Sequence, residues 1–72
     1  MTRSTADYIR IAGSGGGLVI DASTRSAADM IRIAGAARAS GSQVTFTRTS
    51  TKSAADLIRV GGAGKGCVIF ED

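Results

Sequence analysis

The hydrophobic positions of this chain follow two different spacings that alternate along its length. Three segments place apolar residues at helical spacing, and each is followed by glycine or other small residues and then by a short β-branched or aromatic run. The helical spacing predicts three helices, at about residues 5–12, 27–39 and 54–61. The short apolar runs predict three strands, at residues 18–20, 44–47 and 67–70.

One twelve-residue segment occurs three times in the chain. The copies begin at Thr2, Thr24 and Thr51, and seven of the twelve positions are identical in all three. Repetition on this scale indicates one structural unit used three times. The chain is therefore predicted to form one domain, residues 1–72, built from three helix–strand units at residues 2–23, 24–50 and 51–72.

Each copy also carries a signal for the start of a helix. In every copy a serine is followed three residues later by an aspartate. The serines are Ser4, Ser26 and Ser53. The serine hydroxyl can accept a hydrogen bond from a free N–H of the first turn, and the aspartate is favourable near the positive end of the helix dipole. We therefore expect a helix to begin at the same place in every copy.

The alternation of helix and strand predicts an α/β fold. Helical crossovers join parallel strands, so we expect a small three-stranded parallel sheet in sequential order, with all three helices on one face. The first two copies lie 22 residues apart, a solenoid-like period within the range of leucine-rich repeats. The leucine and asparagine pattern of those proteins is absent, so the likeness is one of period and architecture only.

The apolar pattern also predicts which side chains are buried. Ile9, Ile31 and Ile58 occupy the same position within the apolar arc of each helix, so we expect them to be equivalent core residues. In the middle strand apolar and polar residues alternate, whereas the outer strands are apolar on both faces. The residues predicted to face the helices are Val19, Val44, Phe46, Val68 and Phe70. The residues predicted to face outward are Leu18, Ile20, Cys67 and Ile69.

The outward-facing apolar set predicts self-association. Parallel sheets normally have both faces covered, and no further segment of the chain remains to cover the second face. The terminal units lack the polar caps usual in solenoids, and nineteen apolar residues larger than alanine make a small core. We therefore predict a homo-oligomer, most simply a dimer, joined through the open sheet face or through a sheet edge.

The composition excludes several kinds of chemistry. With no histidine and one cysteine, the chain has no histidine-based catalytic triad, no histidine or thiolate metal cluster and no internal disulfide. The net charge of +3 is too small and too scattered to indicate a nucleic-acid binder. No apolar run approaches a membrane span, and no apolar leader follows Met1, so a cytoplasmic protein without a membrane partner is expected.

Two further features invite a functional interpretation that their context does not support. The segment 61–67 has the glycines and lysine of a phosphate-binding P-loop, but Gly66 stands where that loop needs serine or threonine. The segment also leads from a helix into a strand, the reverse of the P-loop order. Cys67 lies in an apolar strand without a histidine to act as its base, so we expect a structural thiol. No cofactor, metal or enzymatic activity is predicted.

The predicted helices carry a stripe of matched charges. In each helix an arginine follows an aspartate by three residues, a spacing that favours an ion pair on the helix surface. The alternative is a row of arginines that binds an acidic partner or a nucleic-acid backbone. The one-to-one matching favours ion pairing. The residues of the stripe are Asp7, Arg10, Asp29, Arg32, Asp56 and Arg59.

Taken together, these patterns predict a small structural or protein-interaction repeat module that self-associates and has no catalytic activity. A protein partner other than a second copy is compatible with this prediction. The alternative is a nucleic-acid-binding accessory protein that uses its scattered arginines and lysines. Salt dependence distinguishes the two, because phosphate contacts weaken steeply with salt and apolar contacts do not.

Overall fold

The structure is a computed structural model that describes residues 3–72. Met1 and Thr2, which open the predicted domain and its first unit, lie outside the described residues. Three α-helices alternate with three strands, and the predicted order is confirmed with each boundary within three residues. The elements are α1 (Thr5–Gly13), β1 (Leu18–Asp21), α2 (Ala27–Ser40), β2 (Val44–Thr47), α3 (Ala54–Gly64) and β3 (Val68–Phe70), with 3₁₀ turns at Ala22–Thr24 and Thr49–Thr51.

The three helices begin at the predicted serine caps. Ser4, Ser26 and Ser53 each have an extended backbone conformation, and each hydroxyl oxygen accepts a hydrogen bond from the backbone N–H of the aspartate three residues later. The donor–acceptor distance is 3.2 Å in all three helices. Such a cap contributes about 1 kcal/mol to helix stability. The same local chemistry therefore fixes the same starting point three times.

The sheet is parallel and its strands lie in the order β1-β2-β3. Leu18 is opposite Val44, which is opposite Val68, and the next row places Val19, Thr45 and Ile69 side by side. Helix α2 lies between α1 and α3 and packs against both. The molecule measures 28 × 27 × 18 Å, as expected for one layer of helices on one layer of sheet.

The core lies between the helices and one face of the sheet. Its largest side chains are almost completely buried and come from both layers, as expected when a helix layer covers an apolar sheet face. The rings of Phe46 and Phe70 are stacked with their centroids 6.4 Å apart. The largest buried side chains are Ile20 and Phe46 with Val44 from the strands, and Met30, Ile33 and Val60 from the helices.

Two buried polar side chains join the ends of separate elements. The hydroxyl of Ser42 donates a hydrogen bond to the backbone oxygen of Ala12, at the end of α1, over 2.7 Å. The hydroxyl and backbone N–H of Thr49 both donate to the backbone oxygen of Glu71, at 2.9 and 3.0 Å. These bonds hold a carbonyl at the end of α1 and one directly after β3 to neighbouring segments, so both side chains serve the fold.

The predicted facing of β1 is wrong. Ile20 is 2% exposed and lies in the core beside Phe46, and Leu18 packs against the same core. Counted back from the caps, Ile20 lies six residues before Ser26, whereas Phe46 lies seven residues before Ser53. Arg48, which has a left-handed backbone conformation with φ 54°, lies in the longer connection. A one-residue difference reverses the facing of a strand, because successive side chains point to opposite faces.

The predicted equivalence of Ile9, Ile31 and Ile58 in the core is also wrong. Ile9 and Ile31 are half-buried and pack against the core, but Ile58 is 74% exposed. The fully buried isoleucine of the helix layer is Ile33. The difference follows from position in the layer, because within the part of the chain that the structure describes α3 has a neighbouring helix on one side only.

Candidate association surface

The outer face of the sheet lies opposite the helix layer and carries exposed apolar side chains. Val19 is 73% exposed, Ile69 is 41% exposed, and Thr45 lies between them in the same row. Within residues 3–72, all three helices pack on the other face. Parallel sheets are usually covered on both faces. We call this row of Val19, Thr45 and Ile69 the outer sheet face.

The four residues predicted for an association surface do not lie together on the outer sheet face. Ile69 is there, Ile20 is in the core, and Leu18 and Cys67 are half-buried and pack against the core. Val19 lies on the outer sheet face, where Leu18 and Ile20 were expected, because the facing of β1 is reversed. The sequence contained a partial signal, since three consecutive apolar residues at 18–20 must leave at least one of them on the outer face.

A second exposed apolar surface lies on the outer flank of α3. Ile58 is 74% exposed there, and Gly61 beside it is half-buried. At the same positions of the other two sequence copies, Ile9 and Ile31 are half-buried. A Cβ at Gly64 would lie 3.4 Å from the Cβ of Ala34, next to Ile31 on its helix, so α3 covers that flank of α2. The Ala12 and Ala34 positions, which correspond to Gly61, are fully buried.

Strands β1 and β3 form the two edges of the sheet. The backbone N–H of Leu18 donates to Gln43 on the β2 side, and the backbone N–H of Glu71 donates to Phe46. In parallel strands the backbone groups of alternate residues point to opposite neighbours. The backbone groups of Val19 on β1 and Val68 on β3 therefore point away from the sheet. Both edges can accept a further strand, and the chain contains no proline to prevent it.

The charged stripe does not form the predicted ion pairs within the helices. Arg10, Arg32 and Arg59 are exposed, and in residues 3–72 none of them lies within 4.0 Å of a carboxylate. The aspartates predicted to pair with them are half-buried near the helix starts; these are Asp7, Asp29 and Asp56. Asp29 instead accepts a hydrogen bond from the hydroxyl of Thr5 at 3.2 Å, which connects α2 to α1.

The ion pair that the described residues do form lies at the carboxyl end of the sheet. The Arg48 guanidinium Nε is 3.5 Å from Asp21 Oδ2. The hydroxyl and the backbone N–H of Ser23 donate to Asp21 Oδ1 at 2.7 and 2.9 Å. These hydrogen bonds, assisted by Arg48, hold the pKa of Asp21 below its ordinary value of 3.8. The cluster fixes the turn between β1 and α2.

The chemistry of residues 3–72 gives no alternative site. Residues 3–72 form no concave pocket, and no three of their histidine, cysteine or acidic side chains come together in a group that could hold a metal ion. The glycine-rich segment at 61–67 begins inside α3, whose C-cap is Lys65, and leads into β3. None of the helices in this described part of the chain is long and apolar enough to cross a membrane.

Comparison with protein families, characterised proteins and solved structures finds no match to the chain. The function is therefore inferred from the surfaces of the molecule itself. Those surfaces are the outer sheet face, the outer flank of α3 and the two sheet edges.

Proposed function

We propose that the protein is a small repeat module that self-associates and presents its surface to other proteins, without catalytic activity. The observation that carries this proposal is the position of the large exposed apolar side chains. Val19, Ile58 and Ile69 are exposed by 73%, 74% and 41%, and all three lie on surfaces that no other described element covers. Apolar groups that a monomer leaves grouped on open surfaces mark association sites.

The size of the domain supports the same proposal. A chain of 72 residues buries only about 60% of the surface that it exposes when unfolded, so its stability is marginal. Six large side chains of residues 3–72 are fully buried, and with one cysteine in the sequence no disulfide links the elements. Association that buries further apolar surface stabilises the folded state by mass action. A cytoplasmic location, where Cys67 stays a reduced thiol, belongs to this proposal.

Sedimentation velocity of the purified chain at low and high salt tests this function. We expect a sedimentation coefficient above that of a 7.3 kDa monomer, unchanged or increased at high salt, because apolar association is strengthened by excluded salts such as sulfate. A monomer at every concentration and at both salts would contradict the proposal.

A second candidate function is binding to a nucleic-acid backbone. It is favoured by the exposed arginines Arg10, Arg32 and Arg59, which occupy the same position on three adjacent helices and have no carboxylate partner in residues 3–72. Cations that neutralise phosphates release counterions, so affinity falls steeply as salt increases. Titration of a short labelled duplex at several salt concentrations tests this candidate. Salt-sensitive binding that Arg32→Ala weakens would support it, and no binding at low salt would exclude it.

A further inference from the structure

We propose that copies of this chain assemble head to tail, with the α3–β3 end of one copy against the α1–β1 end of a second copy. This inference rests on the proposed self-association and specifies its surface and geometry. In such an assembly the parallel sheet continues from one molecule to the next, and the helix layer continues with it. The occupant of the outer flank of α3 is therefore α1 of a second copy.

The contacts within the chain are the template for this interface. On α1, Ile9 is half-buried and Ala12 is fully buried, and the hydroxyl of Ser40 on the neighbouring α2 donates to the backbone oxygen of Ala12. The corresponding flank of α2 is covered by α3. On α3 the corresponding residues are Ile58, which is exposed, and Gly61, which is half-buried beside the ring of Phe70; no helix of residues 3–72 covers this flank. Because the three segments are copies in sequence, the outer flank of α3 is suited to a helix of the same kind.

The start of a second copy supplies such a helix. The α1 segment shares ten of twelve positions with the α2 segment and seven with the α3 segment, including the cap serine and the aspartate at the start of the helix. The ends differ in one respect that is relevant to affinity. Thr5 of α1 donates to Asp29 of α2, but Ala54 occupies the corresponding position on α3 and cannot donate to Asp7 of a second copy. The interface between molecules therefore lacks the hydrogen bond of the α1–α2 interface, as the α2–α3 interface also does, because Ala27 occupies this position on α2.

The two sheet edges match in the same direction. Within the chain, the backbone N–H of Leu18 donates to Gln43 and that of Val44 donates to Cys67, at 3.1 and 2.8 Å. The next bond in this series runs from the backbone N–H of Val68 to the backbone oxygen of Gly17 in a second copy. The free backbone groups of β3 and β1 thus complete a parallel ladder when the copies follow each other in order.

Other modes of pairing leave the outer flank of α3 uncovered or interrupt the parallel ladder of backbone hydrogen bonds. Two copies joined through their outer sheet faces by a two-fold axis bury Val19 and Ile69 but leave Ile58 in water. Two copies joined through β3 by a two-fold axis pair antiparallel and place α3 against α3. Only the head-to-tail arrangement repeats the contacts that the chain already makes. In a head-to-tail contact the two copies use different surfaces, so a joined pair still has one open end of each kind. The assembly therefore grows beyond two copies or closes as a ring.

A pair of matched substitutions tests this geometry. Ile58→Asp places a charge on the outer flank of α3, and Thr45→Asp places the same charge on the outer sheet face. Thr45 lies on the middle strand, away from both ends, whereas Ile69 would lie beside Val19 of a second copy. Neither Ile58 nor Thr45 belongs to the buried core, so both variants are expected to keep the circular dichroism spectrum of the unassociated chain, and the urea midpoint of each is measured beside it. We expect Ile58→Asp to raise the dissociation constant about thirtyfold or more, and Thr45→Asp to change it less than threefold.

The results separate this inference from the proposed function. Loss of association in Thr45→Asp with full association in Ile58→Asp would overturn the head-to-tail geometry and leave self-association intact. A wild-type chain that stays monomeric would overturn both. A wild-type assembly that stops at two copies would also overturn the head-to-tail geometry.

A mixing experiment tests the polarity of the contact. Ile58→Asp keeps a normal α1–β1 end, so it adds to the open α3 end of a wild-type assembly and prevents further growth. We expect one part of this variant in ten to lower the mean mass of wild-type assemblies measured by light scattering. The same fraction of Thr45→Asp is the control and should leave the mean mass unchanged. An equal effect of the two variants, or no effect of Ile58→Asp, would contradict the polarity.

Discussion

Replacing Gly64 with alanine tests the contact between the end of α3 and the strand that follows it. Gly64 is buried, and a Cβ added there would lie 2.2 Å from Val68 Cγ2 and 3.3 Å from Val68 Cβ. Ordinary contacts begin at about 3.4 Å, so the Val68 methyl group must move by 1.2 Å (3.4 − 2.2) or more. A new rotamer relieves the methyl contact, but the contact to Val68 Cβ requires movement of β3 itself.

The expected cost is that of an overpacked core. Extra atoms forced into a close-packed interior cost about 1–3 kcal/mol. At about 0.05–0.15 kcal/mol per residue, a chain of this length has about 4–11 kcal/mol of stability in total, so the loss is a large fraction. With a urea dependence of about 1 kcal/mol per molar, the unfolding midpoint should fall by about 1–3 M.

Urea unfolding followed by circular dichroism at one fixed protein concentration measures this change, with Gly35→Ala as the matched control. Gly35 lies inside α2, and a Cβ there would meet no atom within 4 Å. Alanine is about 1 kcal/mol better than glycine within a helix, so the control should be stabilised. If Gly64→Ala raised the midpoint as much as Gly35→Ala, the close approach of α3 to β3 would be refuted.

Three further changes have defined outcomes. Ile33→Ala should lower the free energy of unfolding by about 2–5 kcal/mol because it leaves a cavity in the core. Ile58→Ala should change that free energy by less than about 0.5 kcal/mol at low protein concentration. Equal urea midpoints for the two variants would contradict the burial of Ile33. Lys65→Gly should stabilise the chain by about 1 kcal/mol, because Lys65 ends α3 with φ 40°, and an unchanged thermal midpoint would argue against that conformation. The pKa of Asp21 is lowered in the folded state by the Ser23 hydrogen bonds, so its stabilising contribution is complete above pH 3.8 and disappears as the pH falls through the lowered pKa. Asp21→Ala should therefore be less stable than wild type at neutral pH and equal to it in strong acid, and a constant difference across that range would contradict the assignment.

The sequence was sufficient to predict most of the fold because its strongest signals are local. The cap serines Ser4, Ser26 and Ser53 act within one helical turn, and the short β-branched runs alternate with them three times. Once the order of helices and strands was known, a parallel sheet with sequential strands followed from general rules of connection. The structure confirms this arrangement.

The candidate surface was harder to predict because it depends on the facing of each strand and on neighbours. The run at residues 18–20 is apolar throughout, so alternation gives no facing for β1, and the longer connection containing Arg48 reverses the apparent alignment with β2. Ile58 has the same local sequence as Ile31, and only the absence of a fourth helix in residues 3–72 makes it exposed. Neither property is encoded within a few residues of the side chain concerned.

Light scattering of the unmodified chain across the micromolar range tests the central claim most directly. A self-associating module with matching open ends should show a mean mass that rises with concentration from 7.3 kDa and passes the mass of two chains without a plateau at two copies. A constant mass of one chain up to high micromolar concentration, with cooperative unfolding retained, would contradict the account.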